Sequence, residues 1–426
     1  MIIYDIIDKK RRKEKLSKEE IEWTVEQFVD GKILNEQMSS LLMAICLNGM
    51  TYDETYYLTK AMQNSGKTYH FDFDIVDKHS TGGVSDSTTL ILAPLLALAG
   101  LKVAKMSGRS LGTTGGTIDK LEVLKGYNFN ISEKTFKENI KKVGASIIAQ
   151  SEEIALADKK IYSLRDKTAT VKSIPLIASS IMSKKLACGS KILLLDVKCG
   201  NGALMENMHD ASQLAEFMVR IGNLNGTKTW AVLTDMNTPL ANGIGSALEI
   251  YSVVEAINGK DCYLRRVSIE LASLIYQMSK NCSYKEAKNI IEKIADNHEA
   301  VIKKLCEIIN IHGGDSSYIT NPNKLLCTKN CIEIKSTKSG FVNSIDALEI
   351  AKVVMEVREP AAEDRKHYQG VLLNVQINSK ISSGDVLARV YTDGNISDEI
   401  KQKIISAIEV SNKRIKEKPL VYKVIK

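Results

Sequence analysis

The chain is 426 residues long, which is more than one ordinary hydrophobic core accommodates, so two or three domains are expected. Its 44% hydrophobic and 26% charged residues exclude a disordered or fibrous protein. The net charge of +7 suits an anionic small molecule as well as it suits a nucleic acid. The basic run at 9–15 has acidic residues around it, which favours a solvated helix end, so no nucleic-acid partner is expected.

No segment is predicted to enter a membrane. The longest apolar stretch, 90–101, contains Pro94 and is too short to span a bilayer. The segment 1–15 places its basic cluster after its apolar part, the reverse of a secretion signal. The eight cysteines are scattered and have no histidine at ligand spacing, which is typical of reduced thiols. These patterns predict a cytoplasmic protein with no membrane partner.

Residues 1–66 have the pattern of a small all-helical unit. Ser17 with Glu20, and Thr51 with Glu54, have the spacing of a capping box, in which two residues at the start of a helix cap each other. Between these helices, 36–48 carries apolar residues at helical spacing, and Gly49 follows where a glycine would end the helix.

From residue 74 the pattern changes to alternating strands and helices. Strands are predicted at 74–77, 101–106, 192–197 and 229–234, and helices up to Ala99 and over 174–187. Strands that are apolar on both faces are typical of a parallel sheet. Beyond about 335, glycine-bounded strands at 340–345 and 370–377 surround a helix at 346–357. The predicted fold is therefore multidomain α/β: a small all-helical domain, a large α/β domain with a mainly parallel sheet, and a C-terminal α+β module.

Two glycine loops, 78–83 and 107–117, each follow a strand and precede a helix. Glycine pairs let backbone N–H groups turn toward an anion, and the helix N-terminus adds partial positive charge. Lys78 adds a full charge, and hydroxyl donors come from Ser80, Thr89, Ser107 and Thr117. Either loop alone is explained equally well as an ordinary turn. Two of them at successive strand ends favour a shared phosphate-type site, and neither has the P-loop pattern.

The helix after Pro175 carries a second candidate site. Ile177, Ser180, Ile181 and Lys184 lie at helical spacing on one face, which would suit a flat polar heterocycle. Arg165, upstream of this helix, could donate to carbonyl oxygens of such a ligand. Taken alone, this face is better explained as an amphipathic helix with an extended lysine. His79 alone would be an ordinary loop histidine, but its place between Lys78 and Ser80 favours a functional role.

Four segments resemble the thymidine and pyrimidine-nucleoside phosphorylase family. They are DKHSTGG at 77–83, KMSGR at 105–109, LGTTGGTIDKLE at 111–122 and SLRDKTATVKSIPLIASSIMSKKLA at 163–187. The resemblance runs over nearly the whole chain. It implies a helical, dimerising and base-binding domain from 1–66 and 157–187, a phosphate-binding α/β domain from 67–156 and 188–334, and a C-terminal module at 335–426. The active site would lie in the cleft between domains of a homodimer.

The resemblance also implies an activity and its residues. The reaction would be reversible phosphorolysis of pyrimidine nucleosides (uridine, thymidine, deoxyuridine) to free base and (deoxy)ribose 1-phosphate, in nucleoside salvage or catabolism. Phosphate would be the co-substrate, with no organic cofactor. By matching position, phosphate would be bound by Lys78, His79, Ser80, Thr89, Lys105, Met106, Ser107 and Thr117. The nucleoside would be bound by His79, Arg165, Ile177, Ser180, Ile181 and Lys184.

Within that set, four residues would be catalytic because they stabilise the departing base: His79, Arg165, Ser180 and Lys184. His79 could also act as a general acid. Lys105 favours a broad pyrimidine-nucleoside phosphorylase, since thymidine-restricted relatives carry methionine at that position.

Several positions depart from the family's pattern. Ser85 and Ser110 stand where the family usually has glycine, and Thr113 replaces a histidine. A potassium site of bacterial relatives would map to Ser85, Ser87, Leu240, Gly243 and Ser252. The family's glutamate is missing at Ser252, and a hydroxyl is a much weaker potassium ligand than a carboxylate. Glu255, one turn later, is the alternative ligand.

Three other functions remain as alternatives. A thymidine-restricted phosphorylase differs only in substrate range. A phosphoribosyltransferase resembling the anthranilate enzyme would need a pyrophosphate-bearing substrate and magnesium. In that family the first glycine loop is shorter than the loop at 78–83 of this chain. A catalytically silent nucleoside-binding protein would explain the loop substitutions, but the retained Lys78, His79 and Arg165 argue against it.

Overall fold

The structure is a computed structural model that describes residues 1–109, 115–151 and 153–426. Its first four helices form a bundle with a core of its own. Ser17 and Thr51 cap their helices and receive the reciprocal bonds from Glu20 and Glu54, so both predicted capping boxes are confirmed. The helices are α1 (Ile3–Arg11), α2 (Lys18–Val29), α3 (Asn35–Asn48) and α4 (Tyr52–Asn64).

The next part of the chain alternates strands with helices, as predicted. The elements are β1 (Val76–Ser80), α5 (Thr88–Leu98), β2 (Val103–Ser107), α6 (Thr117–Leu121), α7 (Glu133–Val143), β3 (Ala145–Ala149), α8 (Leu156–Lys167), α9 (Ile174–Ala187), β4 (Ile192–Cys199), α10 (Met208–Leu224) and β5 (Lys228–Asp235). Strands β3, β2, β1, β4 and β5 lie side by side in that order and all pair in parallel. The predicted mainly parallel sheet is confirmed.

The pairing of the central strands brings their carboxyl ends together. Val76 lies opposite Ile192 and Ser80 opposite Asp196, so β1 and β4 end at the same edge of the sheet. β1 begins two residues later than predicted and includes Asp77 and Lys78, since both charges are paired inside the protein. β3 was not predicted.

Helices cover the sheet and shield its apolar strands from solvent. Every residue of α5 from Thr88 to Leu96 is buried, which explains why this helix has no polar face. After β5 come β6 (Gly243–Ile244), α11 (Ser246–Ile257), α12 (Tyr263–Lys280), α13 (Tyr284–Ala295), α14 (His298–Asn310) and α15 (Ser317–Thr320). In the helical bundle, Ala157 and Ile161 of α8 and Leu176 of α9 join the core of α1–α4.

The last part of the chain forms two small antiparallel sheets with two helices. Its elements are β7 (Asn330–Lys335), β8 (Gly340–Ile345), α16 (Ala347–Arg358), β9 (Gly370–Leu373), β10 (Lys380–Ile381), β11 (Val386–Thr392), α17 (Asp398–Ser406), β12 (Ile408–Ser411) and β13 (Val421–Ile425). The sheets have the orders β10-β8-β12 and β6-β9-β11-β7. The predicted α+β character of this part is confirmed.

Two strands cross the domain boundary that the sequence predicts near residue 335. β6, from the α/β part, pairs with β9 of the C-terminal sheet, and β13 returns to pair antiparallel with β5 of the large sheet. β13, which lies in the predicted module 335–426, therefore pairs with the large sheet. The sequence pattern missed this exchange because a strand's periodicity does not identify its partner.

The fold class as a whole is as predicted: a helical domain, a large α/β domain and a C-terminal α+β module. Among the described residues, we find no helix that combines the length and the apolar character needed to cross a bilayer.

Candidate active site

Lys78 lies at the centre of a buried group of charges near the carboxyl ends of β1 and β4. Its ammonium lies 3.1 Å from Asp196 Oδ2 and 3.4 Å from Asp86 Oδ2, and donates to Thr88 Oγ1 at 2.7 Å. The side chain is only 2% exposed. Burial opposes its charged form, but the two carboxylates outweigh this effect and raise the pKa of Lys78. Lys78 is therefore a permanent cation, as a phosphate site requires.

The two carboxylates around Lys78 are themselves held in place. Asp196 also pairs with Lys198 at 2.8 Å, and both are fully buried. Thr234 Oγ1 donates to the other oxygen of Asp196 at 2.6 Å. Burial alone would raise the pKa of Asp86, but Lys78, Lys198 and another buried lysine, Lys120, hold it well below its ordinary value. Asp86 thus stays ionised, and the contacts of both acids fix the position of the Lys78 ammonium.

A second buried cluster joins β1, β2 and α9. The ammonium of Lys185 lies 2.8 Å from Asp77 Oδ2 and donates to the Met106 carbonyl at 3.0 Å. The ammonium of Lys105 donates to the Lys78 carbonyl at 2.5 Å and lies 3.7 Å from Asp77 Oδ1. The Asp77 carboxylate thus interacts with two lysines, and it lies closer to Lys185 than to Lys105.

The unequal sharing separates the two lysines in acidity. The Asp77 carboxylate outweighs the effect of burial on Lys185 and raises its pKa. Burial prevails at Lys105, where it lowers the pKa to about 7. Lys105 is therefore about half charged at neutral pH, whereas Lys185 is fully charged.

His79 is half-buried and follows Lys78 in β1. Desolvation and four surrounding ammonium groups, those of Lys185, Lys105, Lys78 and Lys184, hold its pKa well below the ordinary value. The imidazole is therefore neutral at pH 7 and offers one N–H donor. Its role as a general acid stays a prediction, and it would require the imidazolium form, which the lowered pKa disfavours.

The predicted hydroxyl donors lie around the two glycine loops. Ser80 ends β1 and accepts from Gly82 N at 3.2 Å, and Thr89 lies in the first turn of α5. Ser107 ends β2, and Thr117 is the first residue of α6. Strand ends and helix starts therefore supply these hydroxyls together, an arrangement that suits an anion. The substituted positions Ser110 and Thr113 lie outside the described residues.

The candidate base-binding face of α9 meets an acid that the sequence analysis missed. Lys184 Nζ lies 2.6 Å from Asp158 Oδ2 of α8 and 3.2 Å from Ser180 Oγ. Its side chain is 27% exposed, whereas Asp158 is buried. Ile177 is also buried, and Ile181 is half-buried. The ammonium of Lys184 is thus accessible and held in one orientation by two partners.

Arg165 occupies a more enclosed position than the sequence analysis implied. Its guanidinium donates to three main-chain carbonyls, those of Thr170, Val171 and Leu176, at 3.2, 2.8 and 2.9 Å. The side chain is buried. Several N–H groups of Arg165 therefore bind the main chain just before α9 and in its first turn. Its contact with a base stays a prediction, and in this structure it holds the start of α9 and the segment before it.

Helix α9 connects the two halves of the site. Lys184 pairs with Asp158 of α8. The next residue, Lys185, contacts Asp77 on β1 and the Met106 carbonyl on β2. The helix that carries the candidate base-binding residues is therefore bound directly to the two strands that carry the candidate phosphate-binding residues.

Three of the residues named for a cation, Ser85, Gly243 and Ser252, are hydrogen-bonded to one another. Ser85 Oγ donates to the Gly243 carbonyl at 2.5 Å, and Gly243 N donates to Ser252 Oγ at 2.8 Å. Leu240 N donates to the Val84 carbonyl at 3.1 Å.

Charged groups lie next to these bonds. Ser87 Oγ donates to Glu249 Oε2 at 2.9 Å, and the buried Lys120 ammonium lies 2.8 Å from the same oxygen. Glu255 pairs with Lys260 at 2.8 Å in a partly exposed position.

A cavity of about 530 Å³ lies elsewhere, between α11 and the C-terminal module. Asn374, Arg389 and Arg414 are among its lining residues, and none of the predicted phosphate- or base-binding residues lines it.

The fold and the site together define a class of protein. The helical bundle and the α/β domain are each matched by a model of one family. Residues 4–66 match the family model described as "Glycosyl transferase family, helical bundle domain" and residues 72–300 match "Glycosyl transferase family, a/b domain". Residues 341–411 match "Pyrimidine nucleoside phosphorylase C-terminal domain".

Full-length relatives narrow this class. The chain is 40% identical over 430 residues to a pyrimidine-nucleoside phosphorylase of Geobacillus stearothermophilus, covering 99% of each chain. It is 42% identical over 437 residues to one of Staphylococcus epidermidis, covering 100% of each. The chain therefore belongs to the pyrimidine-nucleoside phosphorylase family, and the resemblance seen in the sequence is confirmed.

A solved structure supports the fold alone. Anthranilate phosphoribosyltransferase from Thermus thermophilus superposes with a TM-score of 0.58 at 16% identity, covering 72% of this chain and 98% of that one.

Proposed function

We propose that this enzyme catalyses the reversible phosphorolysis of pyrimidine nucleosides, giving free base and (deoxy)ribose 1-phosphate, in cytoplasmic nucleoside salvage or catabolism. The observation that carries the proposal is the pair Lys184 and Lys185 on α9, which links a candidate base site to a candidate phosphate site. The family of the relatives supports the same reaction.

The proposed mechanism divides the charges between these two sites. A phosphate oxygen forms a bond to the anomeric carbon while the N-glycosidic bond breaks and its electron pair passes to the pyrimidine. Lys78 and the hydroxyls of Ser80 and Ser107 hold the phosphate, whose negative charge stabilises the developing positive charge on the sugar. Donors from Lys184, Ser180 and the neutral His79 stabilise the base anion until it takes up a proton. Arg165 acts by ordering α9 and by any donor that it turns toward the base.

The proposed substrates are uridine, thymidine and deoxyuridine. Their breadth rests on Lys105, which is buried beside the Lys78 carbonyl. A 2′-hydroxyl that is desolvated without a partner costs about 1–3 kcal/mol, and an ammonium near the sugar can supply or order that partner. Methionine at this position has no donor. Lys105→Met should therefore lose uridine activity more than thymidine activity, measured as the ratio of the two kcat/KM values. An unchanged ratio would favour the thymidine-restricted alternative.

The proposed assembly is a homodimer formed through the helical domain. Helices α1 and α3 carry apolar side chains on the surface, including Tyr4 at 74% and Leu47 at 77% exposure, with Met43 one turn before Leu47. Exposed apolar groups on packed helices are typical of a subunit interface. Sedimentation should give the mass of two chains for the wild type and of one chain for Leu47→Glu.

One assay separates the proposed function from its alternatives. The protein is mixed with uridine and phosphate without magnesium, and uracil release is followed. Phosphorolysis should proceed under these conditions. No uracil release from uridine, together with pyrophosphate release from a pyrophosphate-bearing sugar, an acceptor amine and magnesium, would indicate a phosphoribosyltransferase. Nucleoside binding without either release would indicate a silent binding protein.

A further inference from the structure

We propose that this chain holds the loop between β1 and α5 against α11 without a bound monovalent cation. The family resemblance places a potassium ion among Ser85, Ser87, Leu240, Gly243 and Ser252. The residues present here do not fit that ion, for three separate reasons of hydrogen bonding, backbone conformation and charge.

The first reason is that a candidate carbonyl ligand already has a partner. The Ser85 hydroxyl donates to the Gly243 carbonyl at 2.5 Å. A hydroxyl hydrogen directed at a carbonyl oxygen occupies one of its two lone pairs and weakens that oxygen as a cation ligand. The Ser252 hydroxyl is also engaged, since it accepts from Gly243 N at 2.8 Å. Gly243 is thus hydrogen-bonded to two hydroxyls, that of Ser85 in the loop between β1 and α5 and that of Ser252 in α11.

The second reason is the backbone of Ser85. Its φ of 60° lies in the left-handed region, where a side chain is disfavoured and the family usually has glycine. A serine at this position is buried and reaches across to Gly243. The hydrogen bond from the Ser85 side chain to Gly243 therefore offsets the unfavourable backbone conformation of Ser85 and connects the loop to the segment before α11.

The third reason is the balance of buried charge. Glu249 is the acid beside Ser87, and the Lys120 ammonium lies 2.8 Å from it while donating to the Asp86 carbonyl at 2.5 Å. The side chain of Asp86 is paired with Lys78. Because Ser252 stands where the family has a glutamate, Glu249 and Asp86 are the acids that the described residues place here, and each already pairs with a lysine, so neither is left to balance a potassium ion. An added cation would be an uncompensated buried charge.

Glu255 does not restore that charge. Its carboxylate pairs with Lys260 at 2.8 Å and is partly exposed, on the side of α11 that lines the large cavity. Glu255, the alternative ligand suggested by the sequence, is thus already paired with Lys260.

The test uses cation-linked stability, which does not depend on the proposed reaction. A ligand that binds only the folded state raises the melting temperature in a saturable way. The wild type is melted in potassium, sodium and tetramethylammonium chloride at matched ionic strength, and the three melting temperatures should agree within about 1 °C. The double variant Ser85→Gly/Ser252→Glu frees the carbonyl and adds the carboxylate. It should melt about 2 °C or more higher in potassium than in tetramethylammonium.

The matched control is Ser85→Gly/Ser252→Gln, which has nearly the same shape and no charge, and it should show no preference for potassium. Thallous-ion NMR supplies a direct binding readout, with line broadening expected for the Glu variant and none for the wild type. If the Glu variant does not fold, the wild-type melts and the NMR titration decide the question alone. A saturable rise of the wild-type melting temperature in potassium, wild-type thallous-ion broadening, or a folded Glu variant without potassium dependence would overturn the proposal.

Discussion

The acidity of Lys105 predicts how anion binding depends on pH. Burial lowers its pKa to about 7, whereas Lys78 and Lys185 have raised pKa values and stay charged. A bound dianion near these lysines favours the charged form of Lys105, so binding should take up a proton when the free amine is neutral. Anion affinity should therefore be highest below pH 7 and fall as the pH rises above it.

The size of the effect follows from the protonated fraction. With a pKa of about 7, Lys105 is about 90% protonated at pH 6 and about 9% at pH 8. If the bound anion keeps it charged throughout this range, affinity falls about tenfold between those values, or about 1.4 kcal/mol. At pH 7, binding should take up about half a proton per site.

Isothermal titration calorimetry with sulfate measures both quantities. Sulfate keeps two negative charges across this range, whereas phosphate itself titrates near neutral pH. Comparing buffers of different ionisation enthalpy gives the number of protons taken up. Lys105→Met should bind sulfate more weakly at pH 6 and lose the pH dependence. A wild-type affinity that changes less than twofold between pH 6 and 8, or an equal pH dependence in Lys105→Met, would refute the assignment.

Three further predictions concern the lysines and the arginine. Lys78→Ala should weaken sulfate binding about tenfold or more and leave uracil binding unchanged, as calorimetry with each ligand would show. Lys184→Met should lower kcat about 100-fold or more. Asp158→Asn should lower kcat less, because it removes the partner of Lys184 and leaves the ammonium in place. Equal kcat values for the wild type and both variants would exclude a role for this pair. Arg165→Ala should lower the free energy of unfolding by about 3 kcal/mol or more, because three carbonyls lose a donor; an unchanged denaturation midpoint would contradict this.

The sequence predicts much of the fold because its signals are local. Ser17 and Thr51 mark helix starts by their own side chains, and the structure forms both caps. The helix at 174–187 has the predicted bounds, since Pro175 and the glycine after Cys188 limit it. The exchange of β6 and β13 between domains could not be predicted, because strand pairing joins residues far apart in the chain.

The candidate site is predictable in its loops but not in its charge pairs. The glycine loops select Lys78 and Ser80 because small residues and donors lie next to each other in sequence. Asp196 and Lys198 were missed, although they lie in an otherwise apolar strand. A charge inside such a strand must be paired, and this signal was present in the sequence. Asp158 gave no local signal, since its partner Lys184 comes from another helix.

The Lys185–Asp77 ion pair limits how the two candidate sites can move. Lys185 belongs to the helix that carries the candidate base-binding face, and Asp77 to a central strand of the large sheet. The pair is buried, and separating it would leave an uncompensated charge at a cost of about 3–5 kcal/mol. Any opening that admits a nucleoside should therefore swing about this contact as a pivot. Parts of the helical bundle far from Lys185 should then travel furthest.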